Sequence, residues 1–231
     1  MTSFGAKSYE DQIHAIWVDP TQFDPLRHAP PFLPPGRPAV KLAATQKAQV
    51  QGWVKQAHGD TEQSVHLLAK DYGGDLGYMS VLLTCLRAAA MVHQTHHWQT
   101  RGQSFYGDHL LFERLYNDTI PGIDSIAERT VGLGSPSLVD PVTQAKHLAW
   151  CVQQCYQGTP VEEGPNGLVA VSLHMEAHVL GAIKVVLKVL GSAGILSDGT
   201  ENLLQDIADK HEEFVYLLKQ RNDVSPYSYG R

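Results

Sequence analysis

Residues His93 to Glu128 read HQTHHWQTRGQSFYGDHLLFERLYNDTIPGIDSIAE. Gly102 parts this stretch into the end of one helix and the start of the next. In the second helix His109 and Glu113 stand four residues apart and so share a face, and Asp124 and Glu128 repeat the spacing. From Glu113 to Asp124 is eleven residues, close to three whole turns, which sets all four groups on one stripe. At about 1.5 Å per residue the two halves of the stripe lie roughly 16 Å apart, while metal–ligand bonds are near 2 Å. One chain therefore cannot gather these groups around one ion. Two copies of the helix packed antiparallel about a two-fold axis can: position 109 then faces 128 of the mate, 113 faces 124, and two equal sites form per dimer.

The surrounding sequence supplies further helices. One is predicted from about Leu76 to Thr100 and a second from about Ser104 to Val131, ending at Gly132 to Pro136. A connecting helix covers about Asp140 to Gln157, ended by Gly158 and Pro160. The third long helix covers about Gly167 to Leu190, and the fourth about Thr200 to Arg221, opened by Ser197-Asp198-Gly199-Thr200. Strand signals are nearly absent. Four long amphipathic helices with an extra one between the second and third describe an all-α four-helix bundle with a crossover. The most apolar run, Val179 to Leu190, is broken by Lys184 and is too short for the ~20 residues of a membrane span, so it is expected to be a buried helix.

Before the bundle the character changes. Pro20, Pro25, Pro30, Pro31, Pro34, Pro35 and Pro38 exclude regular helix or central strand over residues 1–38. Ile13, Ile16, Trp17, Phe23, Leu26, Phe32 and Leu33 lie between them, more anchors than a disordered linker carries. This arm is expected to dock on a neighbouring subunit or a larger assembly. Helix-like patterns follow over 38–57 and 60–70, then Gly73-Gly74 breaks the chain. The domain reading is an N-terminal arm with two short helices over 1–74, the bundle over 75–222 and a tail over 223–231.

Composition narrows the function. The formal net charge is −6, and residues 1–40 carry Lys7, Arg27 and Arg37 against Glu10, Asp11, Asp19 and Asp24, so DNA binding through the arm is not expected. Twelve histidines turn attention to metal chemistry. Cys85, Cys151 and Cys155 form neither a disulfide framework nor a CxxC knuckle. Cys151 and Cys155, four apart on a predicted helix, can clip a metal; reduced, half-buried thiols in a cytoplasmic protein are the plainer expectation. The opening residues hold no secretory signal.

His97-Trp98, a histidine twelve residues on, an acid four later, then Asp-x-x-x-Glu eleven after that resembles the ferroxidase signature of the Dps family, the DNA-protection and mini-ferritin branch of the ferritin-like proteins. Asp124-Ser-Ile-Ala-Glu-Arg-Thr-Val-Gly-Leu-Gly134 and Asp198-Gly-Thr-Glu-Asn-Leu-Leu204 resemble the same family, and the similarity spans about residues 76–221. The resemblance implies a ferritin-like bundle whose His97, His109 and Glu113 join Asp124 and Glu128 of a mate to bind iron and oxidise Fe(II) with peroxide or oxygen. It further implies storage of ferric oxide inside a homo-oligomeric shell. There are departures: Glu113 stands where the family usually has Asp, and Pro121 lies inside the second helix near the proposed axis, where it is expected to kink or split it.

Other readings stand beside this one. Trp98 can pack the metal pocket or anchor the core. His93 and His96 are expected to be satisfied or exposed histidines rather than ligands. His174, Glu176 and His178 can form a second metal site, though polar groups at an inter-subunit contact are the plainer reading. No Glu-x-x-His occurs, which argues against the usual ferritin di-iron site inside the bundle. The alternative function is a structural protein on the same bundle, part of a larger particle such as a virion, with weak or vestigial metal binding.

Overall fold

The computed structural model describes residues 61–158 and 165–222. The expectations for the Pro-rich arm, the pattern over 38–57 and the C-terminal tail lie outside the described residues. Five long helices follow one another: α1 (Gly77–Gln99), α2 (Phe105–Leu133), α3 (Pro141–Gly158), α4 (Pro165–Ser192) and α5 (Asp198–Asn222). A 3₁₀ turn over Pro136–Val139 links α2 to α3, and residues 61–69 are also helical. Among the described residues there is no strand.

Local chemistry sets the boundaries. Gly102, at φ +84°, takes the left-handed turn between α1 and α2. Asp140 caps α3 by accepting from the Thr143 amide at 2.8 Å, with Pro141 at the first helical position. Ser197 Oγ accepts from the Thr200 amide at the head of α5. That helix also carries Asp198 and Glu201 in its first turn and Lys219 and Arg221 in its last, matching the helix dipole at both ends.

Pro121 neither splits nor ends its helix: α2 is one helix of 29 residues with the proline inside it. The expected split is thus corrected. Pro121 lacks only an amide donor, and its carbonyl still accepts from Ser125 Oγ at 2.9 Å. The three-turn spacing between Glu113 and Asp124 survives on a single element.

Helix α1 packs against α2, α3 and α4, and α4 against α5. Because the first half of α1 is covered on every side, the whole run from Met79 to Leu86 is buried rather than one stripe of it. The core falls into two apolar clusters. The larger gathers Leu82, Leu86, Ile126, Met175, Ile183 and Leu204, and the smaller Phe112, Leu115, Val169, Leu173, Phe214 and Leu218. The buried polar groups His93, His96, Ser172, Glu176 and His211 lie on α1, α4 and α5.

Gln144 fixes α3 against α1. Its carbonyl accepts from Thr84 Oγ1 at 2.9 Å, and its amide donates to Ser80 O at 3.0 Å and Tyr72 OH at 3.1 Å. The helical stretch 61–69 closes over the other side, with Thr61 so near Gly181 that an added Cβ would stand 2.8 Å from Thr61 Cγ2. Helix α4, from Asn166 to Ser192, is long and apolar enough to cross a membrane by length and composition, but 78% of its most apolar window is buried inside the bundle, as a core helix requires.

Candidate metal centre

The end of α1 and the start of α2 bring His97 and His109 face to face, ring centroids 3.7 Å apart and 23° from parallel. Each ring is fixed by the other residue's backbone. His97 Nδ1–H donates to the His109 carbonyl at 2.9 Å, and His109 Nδ1–H to the His97 carbonyl at 3.0 Å. A carbonyl only accepts, so the geometry places the proton on Nδ1 of both rings. In the neutral rings both Nε2 atoms then keep their lone pairs, the arrangement in which histidines ligate metals. Phe105 stacks on His109 at 5.1 Å and Tyr116 meets His97 edge-on at 5.5 Å, locking both rotamers.

Glu113, one turn after His109, is half-buried, while Asp124 and Glu128 are exposed. None of the three carboxylates makes an ion pair or hydrogen bond with any described residue. Helix α2 buries Asp108, Phe112, Leu115, Thr119, Ile126 and Thr130. The carboxylates lie round from that face, interleaved with Tyr106 (73% exposed), Leu110 (44%) and Ile120 (51%) at helical spacings. The protomer thus brings His97 and His109 together, with Glu113 one turn after His109 on α2 and Asp124 and Glu128 three turns further along the same face. Trp98 is 69% exposed in the protomer, so it is no core anchor.

Arg221 holds the foot of α2 in place. It pairs with buried Asp108, donates from Nη2 to Ser104 Oγ at 3.0 Å, and so ties the start of α2 to the end of α5. Removing it would free the turn that sets His109 against His97.

A second imidazole–carboxylate group lies inside the bundle. Glu176 is fully buried, its Oε1 2.5 Å from His93 Nε2 and its Oε2 2.5 Å from His211 Nδ1. Burial by itself raises the Glu176 pKa, but His211 and His93 together more than offset it and hold the carboxyl at about 2. Ser172 Oγ bridges His93 Nδ1 at 3.2 Å and His96 Nδ1 at 2.8 Å, and His96 Nε2 meets Tyr156 OH at 3.0 Å. Burial, with His93 beside it, lowers the His96 pKa to about 3, so this ring stays neutral. Both Glu176 oxygens and all four nitrogens of His93 and His96 are already bonded, which makes this a polar core layer rather than a vacant ligand set. His93 and His96 are satisfied core histidines, as expected. Glu176 and His178, by contrast, lie in the core and not at a subunit contact, because their faces of α4 are covered by α1, α5 and residues 61–69.

The family model of the ferritin-like domain matches residues 79–223. The chain belongs to the ferritin-like family. Its fold is shared with solved Dps structures, each less than 25% identical. Dps from Vibrio cholerae O1, described as a member of a broad superfamily of ferritin-like diiron-carboxylate proteins, is 20% identical, with 69% of this chain and 91% of that chain covered and a TM-score of 0.52. Dps from Thermosynechococcus elongatus is 18% identical over 68% and 93%, with a TM-score of 0.54. An archaeal Dps homologue from Halobacterium salinarum is 15% identical over 69% and 83%, also at 0.54. No match was found among curated proteins.

Proposed function

We propose that this ferritin-like protein is a Dps-type ferroxidase, taking Fe(II) as substrate at sites shared between two antiparallel α2 helices and storing the ferric product in a homo-oligomeric shell. The observation that carries the reading is the His97–His109 pair. Its reciprocal Nδ1–H to carbonyl bonds leave the two Nε2 atoms without a proton, Glu113 follows His109 by one helical turn, and the remaining acids stand three turns further along the same helix face.

In the proposed dimer, positions 113 and 124 of the two chains approach each other, and Ile120 lies near the axis, where its exposed side chain and its mate's exclude water. Each site then holds His97, His109 and Glu113 of one chain with position 124 and 128 carboxylates of the other. Oxygen and imidazole donors of this kind accept Fe(II), and the carboxylates favour the ferric state once an electron leaves. Two ferrous ions supply the two electrons that reduce one peroxide to two waters, with two protons consumed. Molecular oxygen is the alternative oxidant. The role proposed is iron handling, with DNA binding through the N-terminal arm not expected from its charge.

The test is oxidation of Fe(II) by peroxide, followed by ferric absorbance. His109→Ala is expected to slow the initial phase by more than tenfold, and an unchanged rate would retire the proposal. Sharing between chains has its own signature. Co-refolded His109→Ala and Asp124→Ala chains form mixed dimers with one intact site each, so about a quarter of the wild-type sites return on statistical mixing. No recovery, or a protein that stays monomeric, contradicts the shared site.

A further inference from the structure

A group of metal-capable atoms lies far from the α2 face, in the larger core cluster. Cys85 of α1, Cys151 of α3 and His178 of α4 are all buried, and their ligand atoms lie within 4.8 Å of one another. Along α1 this group is twelve residues before His97, roughly 18 Å at 1.5 Å per residue, so the two sites are separate.

Two nitrogens near these sulfurs lack partners. His178, 6% exposed, uses Nδ1 against Thr61 Oγ1 at 3.0 Å, while its Nε2 is buried with no hydrogen bond. His147, 3% exposed, sits one turn before Cys151 on α3 and donates Nε2–H to Asp71 Oδ2 at 2.9 Å, while its Nδ1 is likewise buried and unpartnered. A buried polar atom left unbonded costs about 1–3 kcal/mol, and two of them, one on His178 within the group and one on His147 a turn before Cys151, call for a common explanation. In both rings the second nitrogen is held by an oxygen, the outer contact that orients metal-bound histidines.

We propose that Cys85, Cys151 and His178 bind a zinc-type divalent ion in the core, with His147 as the fourth ligand. Zinc takes sulfur at about 2.3 Å and imidazole nitrogen at 2.0–2.1 Å, so the three grouped atoms close in by roughly half an ångström each and the His147 ring swings to complete a tetrahedron. Two thiolates and two neutral imidazoles around a divalent ion sum to zero charge, which an apolar core accepts; a monovalent ion would leave a buried negative charge. The ion would staple α1, α3, α4 and, through Thr61 and Asp71, the segments that cover them. Because every ligand is buried, it enters before the bundle closes.

The experiment uses full-length protein made in zinc-supplemented cells and purified under reducing conditions, with metal content measured after gel filtration against a weak chelator. One zinc per chain is expected. Protein from cobalt-supplemented cells should show a thiolate-to-cobalt charge-transfer band with the visible bands of tetrahedral cobalt. Cys151→Ser and His178→Ala should retain less than a tenth of the metal. Cys155→Ser should retain all of it, and peroxide-driven iron oxidation by that variant should be unchanged. If the single variants fail to fold, the wild-type cobalt spectrum decides alone, since the α2 face holds no sulfur. Protein isolated without zinc and without the thiolate band, a Cys85–Cys151 disulfide in its place, or zinc content unaltered by Cys151→Ser each overturns the site.

Discussion

The layer around Glu176 and the exposed face of α2 use the same side chains, imidazole and carboxylate, under opposite conditions. Around Glu176 every group is buried and bonded: two histidines close on one carboxylate at 2.5 Å, and His96 is held neutral. On α2 the carboxylates of Glu113, Asp124 and Glu128 have no described partner, and the two histidines spend only their Nδ1 protons. His96 and His97 adjoin in sequence and fall on opposite sides of this divide, because a helix turns about 100° per residue and only one of the two directions points into the bundle. Where bonding capacity is used up inside the protein, it specifies the fold; where it is left over at a surface, it is available to a substrate.

The largest expected effect tests the interior. Glu176→Ala leaves His93 and His211 without their common partner and should cost about 3–5 kcal/mol in urea unfolding; a loss under 1 kcal/mol would mean the layer is not a unit. Acid should act on the same layer. His96 has a folded pKa of about 3 against about 6.5 unfolded, so the unfolded chain binds the extra proton and stability falls as pH drops below about 6.5, by about 2 kcal/mol at pH 5. Glu176, held at about 2, adds to the loss below its unfolded value of 4.5. His96→Gln should remove one proton from the slope between pH 6.5 and 4.5, read from urea midpoints across that range.

On the α2 face the pattern should reverse. Ile120→Glu should lower the mass in solution, by light scattering, while helix content and thermal midpoint of the protomer hold. Asp124→Asn should shift stability by no more than about 0.5 kcal/mol, as surface changes do, yet reduce the iron oxidation rate at least tenfold. An Asp124→Asn variant that unfolds like Glu176→Ala would erase the distinction between the two regions.

Much of this protein is legible without coordinates. Glycines, prolines and caps place five helices within a few residues of where they lie, and regular spacing sets His109, Glu113, Asp124 and Glu128 on one face, because both signals depend only on residues a turn or two apart. Pro121 is a local signal too, yet α2 runs through it unbroken. Glu176 and His178 fall in the core rather than at a subunit contact for a different reason: α4 is covered on nearly all sides, so no single polar face marks where they point.

The thiols show the limit most plainly. The spacing of Cys151 and Cys155 suggests a clip on one helix, with half-buried sulfurs. Instead all three cysteines are buried, and Cys151 meets Cys85 and His178, residues on two other helices. Sequence alone determined what each helix carries and on which side, since that follows from a fixed number of residues per turn. Which sides meet across the core was decided only by the tertiary packing, because contacts such as Cys85 with Cys151 and Glu176 with His211 join residues that no local period relates.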